Sequence, residues 1–195
     1  MADSFLSEPT PTARSQVLYD EDLADDGYVW NASRLHAYQP DTMQGLAQLA
    51  AEAFEPSGLS PRQKAVLVLA ATSTLGDSYC SLGWGANLAR AGEPEIAVAV
   101  LNGATDGLTD QEVAMARWAR QVAGDPNSAS AGDVQQLRDA GLDDIQIFAI
   151  TAFVAIRIAI ATVNDALGAH PDQRLADSLP ADLVAAVDYG RQPRD

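Results

Sequence analysis

The run IQIFAITAFVAIRIAIATV, Ile145 to Val163, constrains this chain more than any other segment. It approaches the roughly 20 residues needed to span a bilayer. However, Arg157 lies well inside it and no second segment of the kind accompanies it, so a buried helix is the expected state. Such a helix is apolar around most of its circumference. A lone 195-residue chain satisfies it only by wrapping it on every side, and burial in an oligomer is the economical alternative. Arg157 then needs an acceptor or a carboxylate, because an unpaired buried guanidinium costs on the order of several kcal/mol. A core or interface ion pair is its simplest reading, and a substrate clamp the alternative.

The rest of the chain reads as helices with legible starts. Ser60-Pro61-Arg62-Gln63 combines a capping serine, a proline at the first helical position and a glutamine that reaches back to the cap, predicting a helix to about Leu75. Thr109-Asp110-Gln111-Glu112 repeats the pattern for a helix to about Gly124, and Asp143-Asp144-Ile145-Gln146 opens the long apolar one. Gly92 can end the helix containing Cys80 in a left-handed turn, after which Glu93-Pro94 starts another through about Gly103. No segment alternates with period two, and abundant alanine with only 6% aromatic residues suits close helix packing. The expected fold is all-α, with about seven or eight helices. Residues 1–40, which carry the cluster Asp20, Glu21, Asp22, Asp25 and Asp26, read as an irregular acidic arm. Residues 41–170 form the helical core, and 171–195 a tail with one short helix near Ala181 to Tyr189.

A net charge of −15 repels phosphate backbones and anionic lipid, so no nucleic acid or membrane surface is expected as a partner. The start MADSFLSEPTPTARSQ has neither a basic region nor an apolar run, so a cytoplasmic location is expected and the sequon Asn31-Ala32-Ser33 is discounted. A single cysteine excludes an internal disulfide framework. No phosphate loop, nucleophile elbow or dinucleotide fingerprint is present. The two histidines, His36 and His170, do not make a metal site, so neither metal nor cofactor is expected. Lys64 is the sole lysine, which reads as coding bias.

The cysteine stands in LGDSYCSLGWGANLARAG, Leu75 to Gly92. On a helix starting near Asp77, the residues Asp77, Cys80, Trp84 and Asn87 or Leu88 follow three- and four-residue steps and share one stripe. The helix dipole would lower the thiol pKa, whereas the Asp77 charge opposes a thiolate, each by about 1 kcal/mol. No activated nucleophile follows, and a buried structural cysteine is the simplest reading of Cys80. Asp77 reads as the helix cap, with general-base work the alternative. Trp84 reads as core, or as the wall of a pocket for a flat apolar ligand. Gly83 and Gly85 beside it allow close approach of a helix or a ligand. His36, in the arm with Tyr28, Asn31 and Tyr38, reads as a surface histidine, or as a base folded over such a pocket.

This helix resembles that of the carboxymuconolactone decarboxylase and alkylhydroperoxidase D superfamily, whose peroxidase branch carries Cys-x-x-Cys-x-x-x-His at a helix start and a glutamate on the preceding helix. GYVWNASRLHAYQPDTMQGL is similar to the family's lead-in to its first core helix, GLSPRQKAVLVLAATSTLG to its second, and LARAGEPEIAVAVLNG to the segment after the motif. ARWARQVAGDP and VQQLRDAGLDDIQIFAITAFVAIRIAIATVNDALGAHPD resemble the remaining helices of peroxidase-related members. The likeness covers roughly residues 20–172. It implies a helical bundle assembled as a homotrimer or homohexamer and, if active, a peroxidase-like oxidoreductase or a decarboxylase-like lyase. The departures fall in the motif: Asp77 takes the place of the first cysteine, Cys80 that of the second, Trp84 that of the histidine, and Ala65 about that of the glutamate. A dithiol cycle needs two sulfurs and a base, which a carboxylate and an indole do not supply. The decarboxylase branch relies on a histidine in the same helix, from which Trp84 also departs. The expected function is a divergent member that has lost the dithiol site and binds a small apolar molecule near Asp77, Cys80, Gly83, Trp84, Asn87, Ala65 and Tyr28. A one-cysteine peroxidase using Cys80, and a non-catalytic oligomeric interaction protein, are the alternatives.

Overall fold

The computed structural model describes residues 4–195, and among these residues every regular element is helical. The long helices are α1 (Ala13–Asp25), α3 (Pro40–Phe54), α4 (Pro61–Leu75), α5 (Ser78–Arg90), α6 (Pro94–Leu101), α7 (Asp110–Gly124), α8 (Ala131–Asp139) and α9 (Asp144–Leu167). Three short ones, α2 (Asn31–His36), α10 (Gln173–Asp177) and α11 (Ala181–Ala185), complete the set. The capping boxes at Ser60, Thr109 and Asp143 form as the sequence predicts, and Gly92 adopts φ 83°.

α4 is the axis of the molecule. Every side chain from Ala65 to Thr72 is at most 2% exposed, and α5, α6, α7 and α9 pack around it. The helix wrapped on every side is therefore α4 and not the more apolar α9. The reason is steric, since the alanines Ala65, Ala70 and Ala71 let neighbours close in from several directions. α9 buries one face, with Ile147, Ile150, Phe153, Val154 and Ile160, against α3, α4, α7 and α8. Its other face stays open, with Ile145 65% and Phe148 76% exposed, continuing through Ala155, Ala159 and Val163. By length and composition α9 could cross a membrane, but the packing of Phe153 and Ile150 into the central cluster makes it a core helix with one uncovered side.

Two expectations for the ends of the chain are corrected. The arm taken as irregular contains α1, started by a capping box between Thr12 and Ser15, and the six-residue α2. The tail holds two short helices rather than one, and its last residues return along the start of α5, where Ser78 Oγ donates to Arg191 O and accepts from Arg191 N, both at 2.9 Å. Gly190 makes this return possible, because a Cβ there would lie 2.7 Å from Gly76 O.

Candidate functional site

The site is built at the α4–α5 corner. Gly76 ends α4 with φ 74°, and the next residue, Asp77, caps α5: its Oδ1 accepts from Cys80 N at 2.9 Å. The capping geometry fixes Cys80 in the first turn. Its side chain is 5% exposed and packs with Leu35 of α2, Tyr79 and Ala169, flanked by Trp30, Ala32, Trp84 and Leu167. α2 thus lies over the thiol. Its first residue is held by Asp172, whose Oδ1 accepts from Asn31 N at 2.8 Å.

α9 brings two polar groups to the sulfur from the other side. Arg157 Nη2 lies 3.7 Å and Asn164 Nδ2 3.9 Å from Cys80 Sγ. With the amide turned this way, Asn164 Oδ1 accepts from His36 Nε2 at 2.9 Å, so His36, Asn164 and Cys80 form one chain of polar contacts. Burial lowers the His36 pKa, so the imidazole is neutral at pH 7. The thiol pKa is pushed well above its ordinary value, first by burial and next by the Asp77 charge, with Arg157 opposing. Cys80 is consequently a protonated thiol at neutral pH, not a thiolate. The Asp77 carboxyl is itself raised by burial, against the hydrogen bonds from Cys80 and the charge of Arg157.

Arg157 does not find the ion-pair partner expected of it. Among the described residues no carboxylate reaches ion-pair distance; its Nε and Asp77 Oδ2 are both buried without a hydrogen-bond partner. The guanidinium instead lies over the Trp84 ring, 5.2 Å from its centroid. Lys64 approaches the same ring at 5.9 Å and also the rings of Phe54 and Phe153, at 5.0 and 5.4 Å. Its pKa is lowered by burial and then by the charge of Arg157.

Of the residues singled out in the sequence, Asp77, Cys80 and Trp84 share the α5 stripe, and His36 joins them through Asn164. His36 is half-buried there rather than a free surface group. Gly83 is half-buried with open space where a Cβ would stand, and Asn87 is exposed. Ala65 is sealed in the core at 1% exposure, whereas the adjacent Lys64 turns toward Trp84. Tyr28 lies elsewhere: it lines a surface cleft of about 670 Å³ with Asp26, Arg90 and Arg174, and touches the Cys80 region only by stacking on Trp30 at 5.6 Å. His170 is half-buried with Nδ1 2.8 Å from Gln192 O. Sequence reasoning missed Lys64 and Asn164. Asn164 had a signal, since it stands seven residues, or two turns, after Arg157 on the same face. Among the described residues no three His, Cys, Asp or Glu side chains gather as metal ligands would.

Comparison with known proteins agrees with this architecture. Residues 40–121 match the model of the carboxymuconolactone decarboxylase family. No curated protein matches the chain significantly. Among solved structures, an uncharacterized peroxidase-related protein from Ralstonia eutropha JMP134, described as an alkylhydroperoxidase AhpD core, superposes with a TM-score of 0.80 at 20% identity, covering 90% of this chain and 95% of that one. A peroxidase-related protein from Silicibacter sp. TM1040 gives 0.79 at 17% identity with the same coverages. A cysteine-to-alanine variant of the debrominase Bmp8, in complex with 2,3,4-tribromopyrrole, gives 0.68 at 18% identity, covering 95% of this chain and 98% of that one. The fold is the all-α fold of these solved structures, and residues 40–121 match the carboxymuconolactone decarboxylase pattern.

Proposed function

We propose that this AhpD-like chain binds a small, flat, largely apolar molecule beside Trp84 on α5 and does not reduce peroxides through a dithiol cycle. The observation that carries the reading is the α5 start: Cys80 is the only cysteine, and three residues before it stands Asp77, occupied as a helix cap. An intrachain disulfide therefore cannot form, and burial together with the Asp77 charge keeps the thiol protonated. The tribromopyrrole complex supports the ligand class, since it is a small flat molecule held by a protein of the same fold. The purified protein is expected to reduce an alkyl hydroperoxide, with a dithiol as donor, no faster than Cys80→Ser. A cysteine-dependent rate over many turnovers overturns the reading.

The polar contacts of Cys80 favour a second, single-thiol reading. Attack of the sulfur on a hydroperoxide would form an S–O bond and break the O–O bond, with the thiol proton leaving on the alcohol product; an external thiol would then reduce the sulfenic acid. Arg157 and Asn164 lie at the sulfur, where they would stabilise developing negative charge. Mass spectrometry after sub-stoichiometric peroxide decides: unoxidised Cys80 discards this reading.

The open face of α9 supports assembly into a homotrimer or homohexamer. Phe148 and Ile145, with Leu49 of α3 50% exposed, form an apolar surface whose burial would contribute about 1.5–3 kcal/mol per large side chain.

A further inference from the structure

We infer that Lys64 and Arg157, meeting over Trp84, form the recognition site for a small carboxylate carried on a flat apolar body. The inference rests on the ligand reading above and adds a charge to it.

The argument starts from charge statistics. The chain has 27 acidic residues against 12 basic ones, so any basic group has carboxylates in excess to choose from. Arg14, Arg34, Arg90, Arg138 and Arg191 each pair with one, and Arg62 pairs with two. Arg117 and Arg120 donate instead to Gln136 Oε1 and Val100 O, and Arg174 and Arg194 are exposed to solvent, whereas Lys64 and Arg157 are withdrawn from solvent and, among the described residues, donate to no oxygen; the one polar contact of Arg157 is the sulfur of Cys80. Lys64 and Arg157 are both half-buried and both lie within 6 Å of one indole centroid, close enough for the Arg157 charge to disfavour that of Lys64. Two like charges drawn together away from an abundant supply of counter-ions form an electropositive point in an electronegative molecule. The buried, unpartnered Nε of Arg157 supplies a further donor in the planar arrangement that fits a carboxylate. Trp84 and the space beside Gly83 offer apolar surface next to that charge. Asp77 feels the Arg157 charge but caps α5 through Oδ1 and stands beyond ion-pair distance of the guanidinium, which it leaves unpaired.

The test titrates the full chain calorimetrically with benzoate and, separately, with its neutral isostere benzamide. Benzoate is expected to bind at least tenfold more tightly, with an affinity that falls as salt is added. Arg157→Met and Lys64→Met should each abolish this preference. Lys64→Met should also not lower the unfolding midpoint of the free protein, since it removes a repulsion. If a methionine variant does not fold, the wild-type pair of titrations and their salt dependence still decide. Equal affinities for the two probes overturn the carboxylate assignment and leave the apolar-ligand reading standing. Binding of neither at millimolar concentration overturns both.

Discussion

Replacing Asp172 by asparagine should convert a pH-dependent stability into one that varies much less. Asp172 is 4% exposed and joins three parts of the fold: Oδ1 accepts from Asn31 N of α2 at 2.8 Å, and Oδ2 accepts from the Tyr79 hydroxyl of α5 at 2.9 Å, while the residue itself opens the tail. Burial raises its pKa from 3.8 to about 6, and the two hydrogen bonds reduce that rise without cancelling it. A native pKa above the unfolded one means a contribution to stability that is complete below about 3.8 and is lost as pH rises through about 6. The loss is about 3 kcal/mol at 1.36 kcal/mol per tenfold step. In Asp172→Asn the amide oxygen keeps the Asn31 bond, but the amide nitrogen cannot accept from Tyr79, which costs about 1–3 kcal/mol at every pH. The variant should therefore unfold below the wild type at pH 4.5 and at or above it at pH 8. About 2 kcal/mol of the Asp172 contribution is lost between pH 4.5 and 8, and for a chain of this length 1 kcal/mol corresponds to about 2–4 °C, so the gap between the two midpoints should change by about 4–8 °C across that range. Asp165, raised to about 6 by burial and Asp77, and His36, whose lowered pKa acts in the opposite direction below pH 6.5, are present in both proteins and cancel in the difference. Thermal unfolding followed by circular dichroism at constant ionic strength measures it. A gap that stays constant from pH 4.5 to 8 refutes the reasoning.

Phe148→Asp places a charge in the open α9 face and should shift the protein from oligomer to monomer in light scattering at micromolar concentration; a wild type that is already monomeric contradicts the assembly. Asp77→Cys sets a second sulfur one turn before Cys80 and should give an intrachain disulfide under mild peroxide, reducible by a dithiol, at a cost of about 1 kcal/mol for the lost cap. Two free thiols in the folded variant would mean that these positions do not face each other.

The parts of the fold legible in the sequence are those set locally. Ser60, Thr109 and Asp143 cap their helices with atoms three residues away, so the pattern and the structure contain the same information. α2 is different in kind. Six residues are too few to hold a helix alone, and this one is fixed by Asp172 at its first residue and by Asn164 at its last, partners 141 and 128 positions away. α1 likewise shows little apolar periodicity, burying only Ser15 and Tyr19, so its acidic composition reads as unstructured although Thr12 caps it.

The site divides along the same line. Asp77, Cys80 and Trp84 follow from helical spacing, whereas the groups that give the site its charge come from α4 and α9. One residue of register separates Ala65, where the resemblance placed a carboxylate, from Lys64, which faces Trp84; about 100° of helix rotation turns a core position into a site position. Arg157 was expected to find a carboxylate because an isolated buried guanidinium is costly. Its contacts meet part of that cost by another route: the indole face offers a cation–π interaction of about 0.5–2 kcal/mol, and the soft sulfur of Cys80 accepts weakly. Lys64 is supported in the same way by three aromatic rings at 5.0–5.9 Å. Aromatic faces stabilise a cation without neutralising it, and so the two charges remain available where a salt bridge would have consumed them.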